Sequence, residues 1–200
     1  MSTPATRSIR IISARLLAFL RDRRGVAAIE MAFIAPLLIL LYFGTVDATN
    51  WYMTHRKLVL AGATLADLTT QTATSTTGTD IAKYWQATTD SIIAPLPSSS
   101  VKVTMRDFRL SGTTSKQKWE YPTTTTAGCG TSRNAAALQA IKNAEMADSN
   151  DIVIVEVCTS IEPIALQIFG FGTLDVRYQI SMRPRLSKTL DCTTGCKVLY

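Results

Sequence analysis

The residues best suited to chemistry sit together where a charged segment meets an apolar run. Arg21, Asp22, Arg23 and Arg24 lead to Gly25, apolar residues begin at Val26, and a carboxylate, Glu30, stands at the fifth position of the run. The chemistry that this pattern suits is proteolysis. A glycine has no side chain and extends readily into a protease cleft, which a helical residue cannot do. A cut after Gly25 gives Val26 a new α-amino group. Glu30 then has two readings. A carboxylate in a membrane helix costs about 2.5–3.5 kcal/mol at the centre and less near an end, so Glu30 can snorkel to the nearby headgroups. Alternatively it takes a positive partner inside an assembly, and the Val26 amine, from a neighbouring subunit or the same chain, is the available one.

Other reactive residues are sparse. His55 is the only histidine, it adjoins Arg56 and Lys57, and no serine is set beside it as a nucleophile. It reads as an interfacial polar residue. The Phe-Gly-Phe-Gly stretch at 169–172 encloses no serine and lacks the lysine of a phosphate loop. Asp148 and Asp151 offer too few oxygens for Ca²⁺. Glu156 and Glu162 read as an exposed strand-face residue and a loop residue. The expectation is a protein that is not an enzyme, with no cofactor, no metal and no small-molecule substrate.

The four cysteines, Cys129, Cys158, Cys192 and Cys196, all follow the apolar run. In an oxidising compartment an even count reads as two disulfides, for which three pairings exist. Proximity favours Cys192–Cys196, with Gly195 easing the short loop, and leaves Cys129–Cys158. A four-thiolate zinc site is the alternative, but two Cys-x-x-Cys knuckles are missing.

The element that positions Gly25 and Glu30 is the run itself, Val26 to Val46. It holds 21 residues with Glu30 as the only charge. As a helix it spans roughly 30 Å, the thickness of a bilayer's hydrocarbon core. Mid-span Pro36 is tolerable, because membrane helices re-satisfy the carbonyl it frees. The first 25 residues carry six arginines against Asp22, a net +5 out of the chain's +6. Cations gathered beside an apolar run set topology, so the amino terminus is expected in the cytoplasm and the rest outside. The same distribution argues against a nucleic-acid binder. Ile9, Ile12, Leu16, Leu17 and Leu20 interleave with arginines, which suits an amphipathic arm on anionic lipid. A cleavable secretory signal is the rival reading; Val46-Asp47-Ala48 is then a poor cleavage site at the end of an overlong apolar run.

Two hundred residues leave room for one ordinary domain beyond the span. The helix is expected to continue through 47–71, with Leu58, Ala61, Leu65 and Leu68 forming one apolar stripe. Thr72 to Thr79 reads as a loop, and Asp80 as the cap of a helix to about Ala94, halted by Pro95 and Pro97. Val101 to Leu110 reads as a strand pairing with Lys118 to Tyr121 across Ser111-Gly112. A polar loop over 123–133 and a helix from Asn134 to about Ala147 come next. Ile152 to Val157 reads as a central buried strand and Leu174 to Met182 as the last strand. The predicted class is α+β: a long amino-terminal transmembrane helix followed by a small domain with a mostly antiparallel sheet of three to four strands.

A basic leader ending in glycine, followed by an apolar helix with glutamate at its fifth residue, resembles the prepilin class of signal. More narrowly, Arg24-Gly25, Ala28, Glu30, Ala32, Pro36, Leu37, Leu38, Leu40, Leu41 and Gly44 resemble the TadE-like pseudopilins of the tight-adherence, Flp-type pilus system. Asp151 to Val157 and Met182-Arg183-Pro184-Arg185 look like that family's later strands, while Met31 stands where an aromatic residue commonly follows the glutamate. The resemblance implies cleavage between Gly25 and Val26 by a membrane prepilin peptidase. It also implies a role for Glu30 in assembly with other pilus or pseudopilin subunits and secretion machinery. The expected layout is a basic cytoplasmic leader (1–25), an inner-membrane span (26–46), a helix extension (47–71) and a periplasmic domain (72–200). The alternative is a membrane-anchored or released hydrolase or ligand-binding domain with no pilus role, for which 72–200 would suffice.

Overall fold

A computed structural model describes residues 24–94, 100–111, 114–122, 128–129, 150–168, 170 and 172–199. The basic arm up to residue 23, Pro95, Pro97, Gly112, the expected 134–147 helix, Asp148, Phe169 and Phe171 lie outside them. The chain divides into two compact units, one ending at Val46 and the other beginning at Asp47.

Helix α1 runs from Arg24 to Thr70 with Pro36 inside it. In the second unit its buried stripe is Leu58, Ala61, Leu65 and Ala66; the first three were read in the sequence, while Leu68, the fourth, is only half-buried. Three threonines close its carboxyl end. Thr69 and Thr70 donate their hydroxyls to the carbonyls of Leu65 and Ala66, and Thr72 donates to the carbonyl of Thr69. The Thr69 carbonyl is one of the acceptors that the missing next turn leaves open, while the hydroxyls of Thr69 and Thr70 share carbonyls one turn back within the helix.

The segment 72–79 was expected to be a loop, but it holds a short strand and a helix start. β1, Ser75–Thr76, pairs in parallel with β6, Asp191–Cys192. Helix α2, Gly78–Thr88, follows at once and gives way to a π-helical turn over Thr89–Ile93. Its cap is Thr77, not Asp80. The Thr77 hydroxyl accepts from the Asp80 amide and donates to the Asp80 carboxylate, so Asp80 is the third helical residue and holds its cap. At the other end Lys57 donates its ammonium to the Ala94 carbonyl at 2.8 Å, a cation on helix-end acceptors.

The sheet has five strands, in the spatial order β5-β4-β2-β3-β7, and every neighbouring pair is antiparallel. β2 is Val101–Ser111, β3 Thr114–Tyr121, β4 Asp151–Ile161, β5 Leu174–Met182 and β7 Lys197–Val198. The fifth strand exceeds the three to four expected, because two residues at a sheet edge leave no pattern to read. The middle position belongs to β2; β4, expected to be central, lies beside it and is paired on both sides. Burial on both faces explains why β4 reads as an unbroken β-branched run. Val153, Val155 and Val157 face the main core with Val103 and Met105, beneath Leu58, Leu65 and Ile81. Ile152 and Ile154 turn the other way and pack with Phe108. Close approach of helix to sheet needs Gly62, where an added Cβ would stand 3.1 Å from the Tyr178 ring.

Candidate assembly segment and domain surface

Gly25 and Val26 lie at the start of the described length of α1, so a cut there requires these residues to leave the helix. A Cβ built on Gly25 meets nothing within 4 Å. Packing among the described residues therefore gives no reason for a glycine there. Val26 and Glu30 are four residues apart on one helix, so they occupy the same face one turn apart. A new amine on Val26 and the Glu30 carboxylate would thus be neighbours within a single chain. Glu30 is exposed and makes no ion pair or hydrogen bond among the described residues.

The apolar residues around Glu30 are exposed on every side. Phe33 is 80% exposed, Leu37 65%, and Ile29, Met31, Leu38, Ile39 and Leu41 are each more than half exposed. A helix apolar all round with no protein over it suits a lipid solvent. It is the one helix long and apolar enough to cross a membrane among the described residues, and it fits a single-pass membrane protein.

In the second unit the cysteines form two disulfides. Cys129 joins Cys158 with Cα atoms 5.7 Å apart, tying residue 129 to the face of β4 opposite the main core. Cys192 joins Cys196 at 6.2 Å. Gly195 sits in this loop at φ +75°, and its backbone lies against Gly78, so close that a Cβ on Gly78 would collide with the Gly195 carbonyl. The Gly78 amide donates to the Thr194 carbonyl at 2.7 Å, which fastens the loop to the start of α2.

Several charged groups are committed to structure. Arg106 bridges Glu120 and Glu156, and Arg177 also reaches Glu156. Glu156, expected on an exposed strand face, is therefore buried within an ion-pair network. Arg109 grips Asp151 through two bonds of 2.6 and 2.7 Å, and this pairing holds the guanidinium pKa above its ordinary range. Asp151 also accepts from the Leu190 amide. His55 stacks on Trp51 and meets Tyr178 edge-on, which makes it an aromatic packing residue on the helix–sheet boundary. An open recess of about 370 Å³ lies along 183–188 beside Asn150 and Asp151, but Asp151 is taken by Arg109 and Arg185 by Asp67. Among the described residues no three His, Cys, Asp or Glu side chains are grouped to hold a metal ion.

Two residues escaped the reading of the sequence. Asp47 accepts hydrogen bonds from the amides of Ile164 and Ala165, at 2.9 and 2.6 Å, and so caps the short helix α3, Ile164–Ile168. The cap and its helix are more than a hundred residues apart, so no local pattern announces them. Asp107 is fully buried, and neither carboxylate oxygen has a hydrogen-bond partner among the described residues. Burial first, then the nearby Asp151, pushes its pKa up to about 9. Strand parity carried that signal, since Val101, Val103, Met105 and Asp107 alternate onto one face.

Residues 25–67 match the family model of TadE-like proteins, over the segment that holds Gly25, Glu30 and the first stretch of α1 packed on the sheet. No curated protein and no solved structure matches the chain. A TadE-like segment suggests a role in Tad pilus assembly.

Proposed function

We propose that this chain, TadE-like over residues 25–67, is a non-enzymatic, pseudopilin-like component of tight-adherence pilus assembly, cut after Gly25 by a prepilin peptidase. The observation that carries the reading is where the family match begins: at Gly25, the last residue before the proposed cut, and not at the apolar run that follows. The arginines before Gly25 support a cytoplasmic leader, with the span in the inner membrane and the domain in the periplasm. Two disulfides suit that oxidising compartment.

Glu30 supplies the assembly chemistry. Left alone in lipid, an ionised carboxylate is costly; paired with an α-amino group one turn away, or with that of an adjoining subunit, its charge is compensated. Cleavage creates the amine, so processing and pairing are coupled. The partners are the peptidase, other pilus or pseudopilin subunits, and the secretion machinery. Replacing Glu30 by Ala in pilus-forming cells should abolish or strongly reduce pili while leaving both disulfides and the protease resistance of the domain unchanged. Normal piliation with E30A would remove the assembly role.

A further inference from the structure

Asp47 is the first residue after the apolar run, and its carboxylate holds the amides of Ile164 and Ala165. Helix α3 is therefore fixed to the residue at which the second unit begins. Ile164 is 47% exposed there, and Leu174, which pairs with Ile161 three residues before it, is also exposed. Trp51, Tyr52 and Met53, within two turns of Asp47 on α1, are exposed as well. From 161 to 174 the chain carries a single charge, Glu162. Exposed apolar side chains thus follow Asp47 on α1 and flank its hydrogen-bond partners, while Leu60, Leu186 and Val198 are exposed singly elsewhere on the described domain. Tryptophan and tyrosine favour the level of the headgroups, and apolar faces of interfacial helices bury about 5–10 Å into that boundary.

We infer that α3 and Leu174 form a second membrane contact, laid on the bilayer interface beside the span and held there by Asp47. The occupant is lipid because the surface is continuous in sequence and hydrogen bonding with the end of the apolar run. This inference rests on the reading of residues 26–46 as a membrane span. Its consequence is a second point of contact with the bilayer besides the span.

The test uses the full-length oxidised protein in bilayers of phosphatidylethanolamine and phosphatidylglycerol. Nitroxide labels go on I164C, L174C, I39C and L186C, one per protein, and collisions with oxygen are compared with collisions with a water-soluble nickel chelate. Leu186 is the control of choice. It is apolar and 70% exposed, but it adjoins Arg185, whose amide bonds the Thr70 carbonyl, some 23 residues or roughly 35 Å along α1 from Asp47. The expected result is a several-fold higher oxygen-to-nickel ratio at 164 and 174 than at 186, with the highest ratio at 39. Lipid values at 39 with water-like values at 164 and 174 would overturn the second contact and leave the span intact. Water-like values at 39 would overturn the span, and the second contact with it.

Discussion

Residues 26–46 and 54–70 lie on one continuous helix and meet opposite conditions. In the first stretch the leucines, the isoleucines and Phe33 are exposed on all sides of the helix among the described residues. In the second, Leu58, Ala61, Leu65 and Ala66 are fully buried against the sheet, while Arg56 and Leu60 remain outside. The same backbone serves both because hydrogen bonding within a helix is complete in either solvent. Only the distribution of apolar side chains around the axis differs. An apolar stripe implies a sheet beneath it, and an apolar cylinder implies lipid. The comparison also bears on the hydrolase or binding-domain alternative, which treated 72–200 as self-sufficient. The core of the domain takes four side chains from α1, so a chain starting at 72 lacks part of its own interior.

Paired substitutions give that contrast its largest expected effect. In the full chain in detergent, Leu65→Ala should lower the unfolding free energy of the domain by about 2–5 kcal/mol, the cost of a core cavity. Leu37→Ala should change it by less than about 0.5 kcal/mol, as exposed positions do. Equal losses at the two sites, read from urea midpoints by near-ultraviolet circular dichroism, would break the division of the helix into two environments.

A pH-dependent effect comes from a polar group inside the aqueous domain. Asp107 has a folded-state pKa of about 9 against an ordinary 3.8, raised by burial and by Asp151 and Asp191, and lowered by Arg109 and Lys118. Below pH 4 both folded and unfolded states hold this proton, and Asp107 takes nothing from stability. As pH rises from about 4 to about 9 only the unfolded state ionises, so stability falls, by up to about 1.4 kcal/mol per pH unit. Above that window the decline stops. Asp107→Asn, an amide of the same shape, should flatten the decline; an unchanged pH profile between 5 and 8 would show that Asp107 is ionised in the fold.

The smallest effect lies at the border between the two environments. Asp47→Ala removes the cap of α3 and should cost about 1 kcal/mol. Hydrogen exchange at Ile164 and Ala165 should speed up first, with the sheet amides unaffected. No change at those two amides would detach α3 from Asp47.

How far the sequence revealed this molecule depends on how local each cause is. The limits of β5 and the carboxyl end of α1 were legible because period and punctuation lie within the segments themselves. The antiparallel class followed from strands joined by short connections. The Thr77 cap was misplaced by three residues, since threonine and aspartate both suit a helix start and only geometry shows which one accepts the first amide. β7 and the β1–β6 pair were invisible: each strand has two residues, held by the Cys192–Cys196 loop and the Gly78–Gly195 contact, and long-range contacts leave no periodicity. At the candidate site the reverse holds. Gly25, Val26 and Glu30 are a local motif and stood out in the sequence, whereas Asp47 and α3 meet only in the fold.

The central claim is an anchored subunit released from its leader at Gly25, and the most direct measurement is the intact mass and amino-terminal sequence of the protein from native membranes. The account predicts a mature chain that begins at Val26. A chain beginning at Met1 would leave Glu30 without the amine that cleavage creates, and one beginning near Thr49 would make the apolar run a discarded signal; either result would contradict it.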